Sequence, residues 1–375
     1  MILLIEMQCK DWEHDRVNAG ITRLCHAAFP DEQLKLYGEQ KHIEELGKLV
    51  SRHEIKFASS AIDFYDWRYD SIKCAGKYEE LLLNILDKEP EAGHILLLSC
   101  NHGIVMAAAN VCRIRTERKI YIITHSIMEE VCININFGQY IKQRLLAPHK
   151  ITMRHCINKC MTANCSFFIY APCYERELRG KIRRPVLEKF TFLHHPLYEP
   201  ETEKPCVASE KIVIGIYGQA VNQNAYEIID YYNRNYDNGH VVFKIMTKKN
   251  NDILKLKNTV RLFEKDYVKN DELEYAIRGF DYVLIPYSAE QYRVSASGIF
   301  CDAVSLNVPV LMLDSPLFMY YSRYNMGIQE SSITAMAHRI SQLYMEDITK
   351  YQKSEQVFKH IVEEENVKKF TAVMS

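Results

Sequence analysis

The chain has 375 residues, 47% of them hydrophobic and 25% charged, with 47 Lys and Arg against 48 Asp and Glu. That length and balance suit two domains with substantial cores, and a net charge of −1 excludes a global field that would draw the protein to nucleic acid. No apolar run approaches the roughly 20 residues that span a bilayer.

The N-terminus, MILLIEMQCKDWEHD, starts apolar but lacks a basic leader and a small-residue cleavage site, so it reads as a first strand rather than a signal peptide. The 12 cysteines are scattered and mostly sit in apolar segments, as Cys100, Cys112 and Cys301 do. They read as buried thiols of a cytoplasmic protein rather than as a disulfide framework. His155, Cys156, Cys160, Cys165 and Cys173 form the one cluster. Without a paired Cys-x-x-Cys knuckle they read as buried thiols and no metal site, with zinc as the alternative.

Short apolar runs alternate with helical periodicity, which predicts parallel sheets covered by helices. In the first half, strands are expected at residues 2–6, 34–37, 55–58, 94–99, 119–124, 166–170 and 190–193. Helices are expected between them at 16–28, 41–51, 78–86 and 104–113. Residues 196–210, PLYEPETEKPCVASE, carry three prolines and no apolar period, which marks a linker. The alternation then restarts with strands at 212–217, 241–246, 260–263, 282–286 and 310–313. Helices are expected at 225–235, 271–278, 298–306 and 316–325, and a last helical stretch at about 334–369. The division this suggests is a first α/β domain at 1–195 and a second at 211–350. A C-terminal helix at 351–375 is left free to pack back on the first.

In open parallel sheets ligands bind beyond the carboxyl ends of strands, so the loops there carry the chemistry. After the strand at 282–286 the chain reads Pro286-Tyr-Ser-Ala-Glu290-Gln-Tyr292-Arg293-Val-Ser295-Ala-Ser297-Gly298 and enters a helix. Small residues at a helix start expose backbone N–H groups and the positive end of its dipole, a ready phosphate site. Glu290 and Asp302 flank it with acceptor oxygens suited to sugar hydroxyls. An ordinary N-cap by Ser295 or Ser297 accounts for the same residues equally well.

The segment DYVLIPYSAEQYRVSASGIFCDAVSLNVPVLML resembles the donor-site signature of GT-B glycosyltransferases, especially the large retaining family that uses nucleotide-sugars (family 4-like, group 1). The matching positions are Asp281, Pro286, Glu290, Ser297-Gly298, Asp302-Ala303 and Pro309-Val310. KIVIGIYGQ, with Gly218, resembles the strand and glycine turn that open the donor domain. The resemblance implies an α/β protein of two Rossmann-like domains facing each other across a cleft. It implies transfer of a sugar from a UDP- or GDP-type diphospho-sugar to a saccharide, lipid-linked or protein acceptor, in polysaccharide or glycoconjugate synthesis, without a metal or other cofactor. By the same resemblance Glu290 lies near the transferred sugar, Asp302 at the nucleotide ribose, and Ser295, Ser297 and Gly298 at the diphosphate. His125 lies close to the donor sugar, Asn101-His102-Gly103 line the acceptor side, and the base lies near residues 263–266.

Two departures matter. Glu290 and Asp302 stand further apart than the family's usual acidic pair, and Gln219 and Asn224 occupy the positions of the Arg and Lys that neutralise the departing diphosphate. Arg293, Lys248 and Lys249 are the substitutes at hand. Three readings therefore stand: an active glycosyltransferase, a catalytically silent subunit that partners one, and a nucleotide-sugar epimerase. The basic residues Arg176, Arg179, Lys181, Arg183, Arg184 and Lys189, with Lys142, Arg144, Lys150, Arg154 and Lys159 upstream, read as a solvated face. Their alternative is a peripheral contact with anionic lipid at the inner face of the plasma membrane.

Overall fold

The computed structural model describes residues 1–63, 71–124, 126–132, 145–147, 149–198, 210–265, 268–288 and 293–375. The chain divides into two units, one of Met1–Pro196 with Val294–Ala296 and Glu363–Ser375, the other of Leu197–Arg293 with Ser297–Val362. Each is built on its own parallel sheet.

The first unit holds β1 (Ile2–Ile5), β2 (Leu34–Gly38), β3 (Phe57–Ala61), β4 (His94–Leu97), β5 (Ile120–Thr124), β6 (Cys165–Tyr170) and β7 (Phe190–Leu193). They pair in the order β3-β2-β1-β4-β5-β6-β7, every pair parallel. All four residues of β1 and all five of β5 are buried, because a parallel strand is covered on both faces and so reads as an unbroken apolar run. Helices start on side-chain caps: Glu39 for Gln40–Ser51, Ser71 for Ile72–Lys88 and Asn101 for His102–Ile114. Each such cap contributes about 1 kcal/mol. The core runs from Ile2, Leu4 and Leu96 through Tyr121 and Phe168 to Phe370 and Met374 of the helix Thr349–Met374.

The strand expected at 55–58 is displaced to Phe57–Ala61. It is an edge strand paired only to β2, so most of its residues face solvent and leave a weak apolar signal. The cysteine cluster resolves into packing. Cys156 and Cys160 are buried on and after the helix Met153–Lys159, and Cys165 Sγ lies 3.4 Å from Cys112 Sγ. Burial pushes the Cys156 thiol up to about 12. Among the described residues no three His, Cys, Asp or Glu side chains are grouped to hold a metal ion, and no helix is long and apolar enough to cross a membrane.

His195 follows β7 and is buried, its ring 5.1 Å from that of Tyr170 and its Nδ1–H donating to the Pro196 carbonyl at 2.8 Å. Burial, with a smaller contribution from His14, lowers its pKa from 6.5 to about 4. A base whose pKa falls on folding favours the folded state only while neutral. Its contribution is therefore present above pH 6.5 and is lost as pH falls through the window down to about 4. Denaturant titrations between pH 7 and pH 4 should show a loss of about 3 kcal/mol that His195→Gln removes. Equal acid sensitivity in the variant would reject the assignment.

The second unit holds β8 (Ile212–Ile216), β9 (Val241–Ile245), β10 (Thr259–Arg261), β11 (Tyr282–Ile285), β12 (Val310–Leu313) and β13 (Gly327–Glu330). Their order, β10-β9-β8-β11-β12-β13, is that of a doubly wound dinucleotide-type sheet, with the switch point between β8 and β11. At the centre of β8, Gly215 lies beneath the Phe280 ring, where a Cβ would come within 2.0 Å of it. Two differences from the sequence expectation fall at this unit's C-terminal side. β13 is an additional strand, missed because only Ile328 of GIQE is buried. The stretch at 334–369 is two helices, Ile333–Ile340 and Thr349–Met374, broken where Asp347 accepts from the Thr349 amide at 3.0 Å.

Candidate functional site

At the carboxyl ends of β8 and β11, three segments of the second unit meet. β8 runs into a turn at Gly218, whose φ of +54° is a conformation glycine adopts without strain. A Cβ there would also meet Ile299 Cδ1 at 3.3 Å. The Tyr217 hydroxyl donates to the Ile299 carbonyl at 3.3 Å, tying this turn to the start of the helix Gly298–Ser305. From the next helix, Gln223–Asn235, Asn224 Nδ2 donates to the Pro286 carbonyl at 2.9 Å, tying the β8 loop to the β11 loop. Asn222 caps that helix by accepting from the Ala225 amide at 3.0 Å.

Ser297 caps the helix Gly298–Ser305, accepting from the Phe300 amide at 3.2 Å, and its hydroxyl lies 3.3 Å from that of Tyr287. Gly298 is exposed, and a Cβ added to it would meet nothing within 4 Å. Among the described residues the helix start is thus open at Gly298. That geometry suits a diphosphate. Asp302, half-buried one turn on, adds to the burial that holds the neighbouring Cys301 thiol well above its ordinary range.

Not every residue singled out in the sequence belongs to this assembly. Val294–Ala296 belong to the first unit. There the Val294 amide donates to Glu129 Oε1 at 2.9 Å, and the Ser295 carbonyl accepts from the Tyr174 hydroxyl at 2.5 Å. The small-residue run is therefore shared, with Ser295 in one unit and Ser297 and Gly298 in the other. Gln219 is exposed, as are Lys248 and Lys249 beyond β9. Arg293 is exposed, with no ion pair among the described residues. Glu290 and His125 lie outside the described residues, as does Asp266 of the 263–266 segment.

In the first unit the corresponding switch point, between β1 and β4, is a buried polar network. The Glu6 carboxylate accepts from the Gln8 amide at 2.8 Å, the Cys9 amide at 2.9 Å and Asn18 Nδ2 at 2.8 Å. Asn101 is spent as a cap, accepting from the Ile104 amide at 3.0 Å, and Gly103 is buried behind it. His102 Nε2 is hydrogen-bonded to Glu130 Oε2. Burial opposes charge on Glu130, but the His102 contact, the Met153 amide and Lys150 outweigh it and hold the carboxyl below its ordinary range. This pair escapes sequence reading because its members lie 28 residues apart.

Gly218→Ala is expected to weaken nucleoside diphosphate binding at least tenfold, because the added methyl both strains the turn and presses Ile299 at the helix start. Calorimetric titration with UDP and GDP reads it. Unchanged affinity would separate the turn from the ligand.

No protein-family model and no curated protein sequence matches the chain. Solved structures do. A glycosyltransferase from Rickettsia africae aligns with a TM-score of 0.63 at 8% identity, over 100% of this chain and 99% of that one. HepE from Anabaena, solved with UDP and glucose, aligns with a TM-score of 0.60 at 11% identity, over 97% and 95%. The UDP-GlcNAc 2-epimerase of Neisseria meningitidis, bound to UDP-GlcNAc, aligns with a TM-score of 0.54 at 13% identity, over 95% and 94%. At such identities the likeness is one of fold, and the chain carries an α/β fold of two Rossmann-like domains, as these structures do.

Proposed function

We propose that the protein is a glycosyltransferase that moves a sugar from a nucleoside-diphosphate sugar to an acceptor hydroxyl, in polysaccharide or glycoconjugate synthesis. The observation that carries this reading is the convergence, at the switch point of the second unit, of the Gly218 turn with the open, Ser297-capped start of the helix Gly298–Ser305. Helix amides there would meet the diphosphate, and Asp302 would accept from ribose hydroxyls. UDP is the preferred nucleotide, since HepE and the Neisseria epimerase hold UDP or its sugar. Charge on the leaving diphosphate would be met by the helix dipole and by Arg293, with Lys248 and Lys249 in reserve. In this reading Glu290 and His125 hold the transferred sugar, the anomeric configuration is retained, and no metal takes part.

Two other readings have an observation each. Asn224 is committed to the Pro286 carbonyl and Gln219 carries no charge, so neither of the two positions offers a cation. That favours a silent subunit partnering an active transferase. The His102–Glu130 pair supplies an imidazole and a carboxylate of the kind an epimerase uses as acid and base. One assay separates the three: purified protein is incubated with UDP- and GDP-sugars, with and without acceptors. Release of nucleoside diphosphate marks a transferase, an isomeric sugar without release marks an epimerase, and binding without turnover marks a silent partner.

A lipid-linked acceptor would bring the protein to a membrane surface. Arg179 and Arg184 are neutralised by Glu175 at 2.6 Å and Glu188 at 2.9 Å, and Arg154 Nη2 donates to the Val131 carbonyl at 2.9 Å, so docking would fall first to the exposed Arg176 and Arg183; Lys142 and Arg144 lie outside the described residues. Co-sedimentation with anionic vesicles should rise at low salt. No rise would leave the solvated-face reading.

A further inference from the structure

The first unit's sheet stops at β7, which pairs only with β6. The Phe167 and Ala171 amides donate to the Lys189 and Leu193 carbonyls, each at 2.8 Å. Alternate residues of a parallel strand turn the same way, so Thr191 also faces β6, while Phe190, Phe192 and His194 turn their N–H and C=O groups outward. At His194 that edge is closed, because Asn366 Oδ1 accepts from its amide at 2.8 Å and Asn366 Nδ2 donates to its carbonyl at 2.9 Å. Among the described residues, the outward groups of Phe190 and Phe192 have no such partner. A lysine often guards a sheet edge, but Lys189 is committed elsewhere, its Nζ donating to the Cys160 and Ala163 carbonyls at 3.0 and 2.6 Å.

A cavity of about 610 Å3 lies beside these two residues. The rings of Phe190 and Phe192, 6.3 Å apart, line it with Ile182 and Leu187, and Phe167 backs Phe190 at 4.5 Å. Its charged lining is two ion pairs, Arg179 with Glu175 and Arg184 with Glu188. Such a balance offers a basic or an acidic occupant as much repulsion as attraction. The rim is its own complement, because a copy turned about a two-fold axis brings arginines to glutamates and glutamates to arginines. The strand edge is self-complementary as well. Two copies of β7 laid antiparallel about an axis at Thr191 put Phe190 of one copy opposite Phe192 of the other. Every outward N–H and C=O of these residues is then paired, and both cross-strand side-chain pairs are aromatic.

We propose that β7 is a dimer edge, to which a second copy of this chain adds its own β7 antiparallel, joining two 7-stranded sheets into one. Sedimentation velocity on the full chain, over a hundredfold range of concentration, tests it. The wild-type protein should pass from monomer to a species of twice 43.9 kDa. Phe192→Pro removes an outward N–H and leaves the pairing with β6 intact. It should weaken association at least tenfold without changing the circular dichroism spectrum. Thr191→Cys keeps both rings and sets a thiol at the two-fold axis, in a non-hydrogen-bonded pair whose Cα atoms lie about 4.5 Å apart, within disulfide reach. Mild oxidation with diamide should turn this variant, but not the wild type, into a covalent dimer. If Phe192→Pro does not fold, the cross-link alone decides. A dimer that survives Phe192→Pro, or no more cross-linking in Thr191→Cys than in wild type, would overturn the proposal. So would a wild-type chain that stays monomeric at every concentration, which would leave the edge to a strand of another protein.

Discussion

Phe370→Ala should destabilise the first unit by about 3–5 kcal/mol. Phe370 comes from the far end of the chain yet is buried in the core of the N-terminal sheet, its ring 4.8 Å from Phe168 and 6.5 Å from Phe29. Truncation removes a whole ring from a core in which strands above and below cannot collapse into the space. One turn earlier Asn366 holds the same helix to the end of β7. Its Oδ1 accepts from the His194 amide at 2.8 Å and its Nδ2 donates to the His194 carbonyl at 2.9 Å. Asn366→Ala would orphan both buried backbone groups, at about 1–3 kcal/mol each. Trp12 lies in the first unit, so urea titration followed by its fluorescence reads the unfolding of that unit. A midpoint unmoved by Phe370→Ala would mean that the helix end contributes nothing to that core.

Arg293→Ala should slow sugar transfer roughly 10²–10³-fold, equivalent to about 2.7–4 kcal/mol of lost transition-state stabilisation. Exposed and without an ion pair among the described residues, Arg293 has no evident structural duty, so the melting temperature should not change. In the proposed mechanism it supplies the cation that Gln219 and Asn224 do not. The loss should appear in kcat more than in KM, because diphosphate charge grows as the glycosidic bond breaks. Glu290→Ala should abolish transfer by releasing the sugar from its reacting position. Normal turnover by Arg293→Ala would transfer the role to Lys248 or Lys249. The converse variant, Gln219→Arg with Asn224→Lys, should gain donor hydrolysis if missing cations limit the site, although Asn224→Lys also gives up the bond to Pro286.

The elements and the fold class are properties of the sequence itself. Runs such as ILLI, IYIIT and VLML are apolar without alternation because both faces of a central parallel strand are covered. The Ser-Gly entry to the helix Gly298–Ser305 is likewise local chemistry, a hydroxyl meeting an amide three residues on. Signals of that range are set by neighbours in the chain and can be read from it. Edge strands blur them, since β3 and β13 have one partner each and little to bury. Tertiary structure alone decided the rest. It gave Val294–Ala296 to the first unit while Ser297 stayed with the second, and it committed Asn224 to the Pro286 carbonyl. It also paired His102 with Glu130 and placed β7 at the edge of its sheet. Which buried donor finds which acceptor depends on strand order and register, and those are set by the packing of whole elements rather than by any residue's neighbours in sequence.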